Sequence, residues 1–307
     1  MRVLIKAGLA LAATASLAAC ATVSPPATTG HRHAHSRRAA PGLAAPPAGT
    51  RDEAAALARL MLSRIQLPAG ARHLAPAPVP AALRSPVLLG GAAASLDLHE
   101  LYALPEPMST VASFLTAHLP RGMSRFSTGT LGGPGGVESH DISYTVRSVP
   151  GGVYTAQLAV TVAPRTSGGS VLRADAQVLW YPPRTAAEYI DPARYHVLTI
   201  TVRIWGMRPH TVRKVVRSQA AIARLADVLD TSRVLPSTTI SCPVPVAYYR
   251  LTFAVTKDSQ PGVVADASWW PCEGVRIRAD SRRQPSLQDA TAVVTVVDRL
   301  IGISPGP

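Results

Sequence analysis

Apolar residues recur at every second position through the middle of the chain. Tyr154, Ala156, Leu158, Val160 and Val162 fall on one side, and Thr155, Gln157 and Thr161 on the other. Leu172, Ala174, Ala176, Val178 and Trp180 repeat the pattern against Arg173, Asp175 and Gln177. Leu198, Ile200, Val202 and Ile204 do so against Thr199, Thr201 and Arg203, and residues 143–149 are a fainter copy. Period two with one polar side predicts antiparallel strands covered on one face. Pro150-Gly151-Gly152 and Ser167-Gly168-Gly169 supply tight turns between them. Residues 123–205 are therefore expected to form a meander, with helices packed on its apolar face.

Helical spacing brackets this region. Thr50-Arg51-Asp52-Glu53 is a capping box, in which Thr50 and Glu53 each satisfy the other's backbone. Leu57, Leu60, Met61 and Ile65 follow at helical intervals until Pro68. A second helix is expected from about Pro107 to His118, carrying Val111, Phe114 and Leu115. A third starts near Ser218 with Ile222, Leu225, Ala226 and Leu229. Leu-Pro follows each of the three, at 67–68, 119–120 and 235–236. Unequal intervals make this a shared stop signal rather than a repeat.

Further on, Tyr249, Leu251, Phe253 and Val255 alternate, residues 257–262 turn, and residues 263–270 return. A hairpin centred there brings Ala247 opposite Cys272. Val275 and Ile277 make one more strand, and Ser286-Leu287-Gln288-Asp289 caps a last helix with Ala290, Val294, Val297 and Ile301 inward. The fold class expected is α+β: an antiparallel sheet, made of the meander plus a disulfide-closed hairpin, with helices on one face. The globular region spans 51–304, with a candidate division into two halves near 206–217.

The first residues carry a different pattern. Arg2 and Lys6 precede an alanine-rich apolar stretch over residues 9–19. It is shorter than the roughly 20 apolar residues needed to span a bilayer, and reads as a secretory leader. It ends in Leu17-Ala18-Ala19-Cys20, which resembles the lipobox of bacterial lipoproteins. The resemblance implies cleavage after a signal peptide of residues 1–19, acylation of Cys20, and anchoring on the outer face of the cell membrane. Two or more acyl chains hold a protein there firmly.

Residues 20–50 are rich in Pro and Ala without apolar periodicity, so a disordered tether is expected. Within it, His31, His33 and His35 alternate and are a candidate divalent-metal set. No carboxylate or thiolate stands beside them, and arginines flank them. A solvated basic patch near anionic lipid is the preferred reading, and no metal or other cofactor is expected.

Charge sharpens the list of partners. The chain holds 31 Lys and Arg against 18 Asp and Glu. Loss of Arg2 and Lys6 with the leader leaves 29 basic residues against 18 acidic, a net +11. Arginine supplies nearly all of it, either through coding bias or for attraction to an anionic surface. Arg147, Arg173 and Arg203 would line one polar face if their strands were neighbours in register, which makes them the candidate anion-binding residues. A merely solvated face is the alternative, since register cannot be read from sequence. An exported protein rarely meets nucleic acid. The expected partners are the membrane, through the anchor, and anionic envelope polymers or another envelope protein.

Export also bears on the cysteines. An oxidising compartment favours a Cys242–Cys272 disulfide, whose ring of about 30 residues would stabilise the fold by roughly 3–4 kcal/mol. With Cys20 acylated, no thiol chemistry remains. Residues 225–235, Ser241-Cys242-Pro243, Tyr249 to Phe253, Cys272-Glu273-Gly274-Val275 and residues 293–302 together resemble secreted actinobacterial proteins to which no activity is attached. His118-Leu119-Pro120-Arg121-Gly122 fits the same resemblance.

Catalytic patterns are missing where they would be recognised. The chain has no Gly-x-Ser-x-Gly, no Ser-x-x-Lys and no His-Glu-x-x-His. The run Gly129-Thr130-Leu131-Gly132-Gly133-Pro134-Gly135-Gly136 lacks the Gly-Lys-Ser/Thr end of a phosphate loop and reads as a flexible hairpin connection. His99-Glu100 and His140-Asp141 are adjacent on extended chain, so they face opposite ways. His118 is suited to the negative end of a helix. The expected function is a membrane-anchored envelope lipoprotein acting as a non-enzymatic binding or scaffold module, with an extracytoplasmic hydrolase as the alternative.

Overall fold

β5 (Val153–Pro164) and β6 (Ser170–Trp180) run antiparallel, with Leu158 opposite Ala176 and Val160 opposite Ala174. The turn between them needs glycine. Gly169 has φ +76°, and a Cβ there would lie 2.2 Å from the Leu104 carbonyl oxygen. β4 (Gly136–Val146) and then β3 (Met123–Gly133) lie beyond β5, completing a meander. On the other side β6 pairs with β2 (Ser95–Leu104), and β2 with the two-residue β1 (Arg72–His73). The glycine-rich run proves to be mostly strand, since Gly129, Leu131 and Gly133 pair with Asp141, Ser139 and Gly136.

This is a computed structural model, and it describes residues 48–74, 79–86, 92–133, 136–205, 208–236, 246–268 and 274–303. The leader, most of the tether, Cys20, His31, His33, His35, Cys242 and Cys272 lie outside the described residues.

Even-numbered residues of β5 and β6 share one core with α1 (Arg51–Ser63) and α2 (Met108–Ala117). The capping box forms: Glu53 N donates to Thr50 Oγ1 at 3.1 Å, and Thr50 N to Glu53 Oε2 at 2.9 Å. The inward stripe of α1 differs from the expected one. Leu60 is 43% exposed, while Ala54, Ala58, Met61 and Leu62 are buried. Burying a side chain the size of Leu62 is worth about 1.5–3 kcal/mol, and two alanines let the helix lie close to the strands.

β7 (Val197–Ile204) leaves the meander to which it was expected to belong. Pro182-Pro183 follow β6 and cannot donate to a ladder. The chain then runs through two short 3₁₀ turns at 186–188 and 192–194. β7 pairs with β8 (His210–Val216) on one side and β9 (Ala247–Ala254) on the other. β10 (Val263–Ser268), β11 (Val275–Ala279) and β12 (Arg282–Arg283) complete a second six-stranded sheet. The sheets thus part over residues 181–196, whereas most of 206–217 is β8 and its connection to β7. In the β9–β10 hairpin Tyr249 faces Ala267 and Tyr248 faces Ser268. That register is three residues short of one that puts Ala247 opposite Cys272, because the loop opens at Val255.

A second core joins Leu198, Ile200, Leu251, Phe253 and Ile277 to α3 (Gln219–Thr231) and α4 (Ala290–Ile301). Ile222, Leu225, Ala226 and Leu229 face inward from α3, as their spacing predicts. The start of α4 is different: Asp289 occupies the cap at φ +56° without a side-chain bond. Ser286 falls short of that position because Leu287 forms bridges to Val234 and Val275.

The described residues form four α-helices and two antiparallel sheets, an α+β architecture. Each sheet comes from two strands, a helix and a four-strand meander. The meander joins its sheet by its last strand, β6, in the first case and by its first strand, β9, in the second. The two are therefore not copies, in keeping with the unequal Leu-Pro intervals.

Candidate anion-binding face

The three arginines expected to share a face do not meet. Arg147 is exposed just past the end of β4, and Arg203 is exposed on β7 in the other sheet. Arg173 is only 7% exposed and has internal partners. Its Nε lies 2.8 and 2.9 Å from the two carboxylate oxygens of Asp175, and its Nη1 donates to Leu83 O at 2.9 Å and Arg84 O at 3.2 Å. Residues 79–86 close over this side of the first sheet, where Leu83 packs against Ala163 and Val171. A face that alternation marks as polar is here a covered polar layer. Asp97 shares it, its carboxyl pushed above the ordinary range by burial and then by Asp175.

Acid–base neighbours in sequence stay apart in space. Glu100 accepts a hydrogen bond from Tyr102 Oη on the core side, while His99 sits opposite Asp175 on the outer side. His118 stacks on Phe114 with centroids 3.9 Å apart, and its Nδ1 lies 2.8 Å from Phe114 O at the end of α2. That is the helix-end role its position suggests.

A partly buried ion pair fastens the connection between the sheets. Arg184 Nη1 donates to Leu229 O at 2.8 Å and Asp230 O at 2.9 Å, the unsatisfied carbonyls at the end of α3. Its Nη2 lies 3.5 Å from Asp230 Oδ1, and that carboxylate also accepts from Ile190 N at 3.0 Å. Burial pushes Asp230 up to about 6 and lowers Arg184, so desolvation outweighs their pairing. The cavity beside them, about 30 Å³, has room for little more than a water.

The second sheet presents the other kind of surface. Alternation turns Leu198, Ile200, Tyr249, Leu251, Ala265 and Ile277 to the core. Their neighbours therefore point outward. Across five strands, Arg213 pairs with Thr201, Thr201 with Arg250, Arg250 with Asp266, and Asp266 with Arg276. Arg203 and Arg278 extend the same face, and all five arginines are exposed. Asp266 is the one acid among the described outward residues of β7 to β11. Its carboxylate accepts from Arg250 Nε at 2.7 Å and lies 3.5 Å from Arg278 Nη2. The Asp266 side chain is 12% exposed and that of Arg250 51%, so the guanidinium stands above the acid. Arg203 and Arg213 have no acidic partner among the described residues.

Aromatic rings adjoin the arginines. Trp205 is 45% exposed and meets Tyr248 edge to face with centroids 6.1 Å apart. The Arg276 guanidinium lies 5.8 Å from the Tyr248 ring and donates to its hydroxyl. Only Arg203 of this set was a sequence candidate. Arg213, Arg250, Arg276, Arg278, Trp205 and Tyr248 were missed, although the alternation of β9 and β11 already turns Arg250, Arg276 and Arg278 outward.

Guanidiniums arrayed in this way, with Asp266 the one carboxylate among the described outward residues, suit bidentate capture of carboxylate or phosphate. A cavity of about 240 Å³ lies elsewhere, where Arg194, Tyr195, Gly262 and Asp280 meet. It is smaller than the roughly 300–1,000 Å³ usual for small-molecule sites. Among the described residues, no group of three or more His, Cys, Asp or Glu side chains is arranged to hold a metal ion, and no helix is long and apolar enough to cross a membrane. No protein family, curated protein or solved structure matches this chain.

Proposed function

We propose that this chain is an extracytoplasmic lipoprotein, anchored through Cys20, whose folded region binds an anionic ligand on the open face of its second sheet and performs no catalysis. The observation that carries this reading is the outward row Arg213–Thr201–Arg250–Asp266–Arg276, flanked by Arg203 and Arg278. Arg203 and Arg213 face no acid among the described residues, so part of the positive charge of this face is left for an anionic ligand. In this reading helices occupy one face of each sheet, so the other face of the second is free for a ligand. A Cys242–Cys272 disulfide, in the same reading, joins the segments that precede β9 and follow β10 in the chain. The membrane is the first partner through the acyl chains, and an anionic envelope polymer or protein is the second.

An extracytoplasmic hydrolase would draw support from a cleft with converging acid and base groups. His99, His118 and His140 instead lie on separate elements of the first sheet's half.

The test is retention of the full-length chain on an anionic polymer matrix as salt is raised. The wild type should elute late, and an Arg203→Gln/Arg213→Gln variant distinctly earlier. Arg147→Gln, on the other sheet, should elute with the wild type. Equal elution of all three proteins would remove the basis for the proposal.

A further inference from the structure

The arginines of the second sheet are spaced as well as concentrated. Arg213, Arg250 and Arg276 stand in one register row on β8, β9 and β11, each separated from the next by one intervening strand. Neighbouring strands lie about 4.8 Å apart, so these charges recur at an interval on the order of 10 Å, across a span on the order of 20 Å. The residues between them are Thr201 and Asp266, the latter recessed beneath Arg250. A ligand running perpendicular to the strands would therefore meet a cation, a gap, a cation, a gap and a cation.

The row has an aromatic margin. Tyr248 stands two residues from Arg250 on the same face of β9, and Trp205 adjoins it at the end of β7. An exposed Trp205 and a half-buried Tyr248 beside guanidiniums match a ligand with apolar C–H faces and periodic anionic groups, which describes a chain of pyranose rings bearing carboxylates. We infer that the ligand of this face is a linear acidic polysaccharide lying across the strands, its carboxylates along one edge engaging Arg213, Arg250 and Arg276 while its sugar faces lie on Trp205 and Tyr248. The inference rests on the anion-binding reading above and gives it a ligand class and a direction. An anionic membrane is the poorer fit. Its head groups are laterally mobile and carry no fixed interval, so they would use every exposed arginine alike.

The experiment measures binding of the full-length chain to uronate oligosaccharides of increasing length, with polyphosphate, single-stranded DNA and vesicles of anionic lipid as the other arms. Two triple variants are compared, Arg213→Gln/Arg250→Gln/Arg276→Gln within the row and Arg203→Gln/Arg278→Gln/Arg283→Gln outside it. Affinity should climb with oligosaccharide length until three carboxylates span the row and then level off, each added contact acting as a linked site. The in-row variant should lose about tenfold or more, and the off-row variant about threefold or less, although both remove the same charge. Trp205→Ala should weaken oligosaccharide binding severalfold and leave polyphosphate unaffected. Equal losses in the two triple variants, or tighter binding of vesicles, DNA or polyphosphate, would overturn the polysaccharide assignment and leave the anion-binding face standing. Failure to bind any of the four polyanions would remove both.

Discussion

Arg173 and Asp175, two residues apart on β6, close an ion pair beneath residues 79–86, with Arg173 Nη2 2.7 Å from Asp175 Oδ1. Asp175 is wholly buried, and Arg173 also satisfies two backbone carbonyls of the covering segment. Arg173→Met strands a buried carboxylate and should cost about 3–5 kcal/mol. The double variant Arg173→Met/Asp175→Leu should recover most of that loss. Urea denaturation of the two variants checks the pair: a single variant as stable as the wild type would mean that the pair contributes nothing to the fold.

Asp230 gives stability a dependence on pH. Its folded-state value, raised by burial to about 6, stands above the unfolded value near 4. The folded chain therefore binds more protons between these limits. This contribution is fully present below about pH 4 and is lost as pH rises through about 6, a difference on the order of 3 kcal/mol. Asp230→Asn should flatten stability against pH between 4 and 7 relative to the wild type. Thermal or urea melts across that range read the difference, and parallel curves would contradict it. Asp97 and Asp298 are raised in the same sense and are common to both proteins.

Asp298 faces the second core from α4 at 2% exposure, with Oδ1 lacking a partner and Oδ2 3.5 Å from Tyr249 Oη. Burial raises its carboxyl first, and Tyr249 offsets this only in part. Asp298→Leu removes an ill-satisfied group from an apolar stripe and should stabilise the fold by about 1 kcal/mol or more at neutral pH. A loss of stability would show that the Tyr249 hydrogen bond outweighs the burial.

Gly169→Ala tests the β5–β6 turn. The residue sits at φ +76°, and an added Cβ would meet the Leu104 carbonyl oxygen of the neighbouring strand. The expected loss is above about 1 kcal/mol. Gly168→Ala, at φ +91° but with open space around the Cβ, should cost less. Chemical denaturation of the pair separates backbone strain from collision.

Much of the local structure was legible because local rules decide it. The capping box at Thr50 and the stripe Ile222, Leu225, Ala226 and Leu229 needed no tertiary information. The strands that were missed break their own alternation. β2 carries Glu100 on its core-facing side, held by Tyr102, and β8 carries Lys214 on the same side as Val216, its Nζ reaching Leu300 O at 2.7 Å. Sheet membership was not legible, since β6 and β7 show the same period and only long-range pairing separates them. That is why Arg173 and Arg203 read as neighbours yet belong to different sheets. It also hid the row of Arg213, Arg250 and Arg276, whose members are far apart in sequence and meet only through register.

Hydrogen–deuterium exchange on the full-length chain, with and without a uronate oligosaccharide long enough to span the row, asks directly where the ligand lies. Protection should appear in β8, β9 and β11 and at Trp205, and leave β3 and β4 unchanged. Protection confined to the first sheet, or around the Arg194 and Asp280 cavity, would contradict a binding face built on the second sheet.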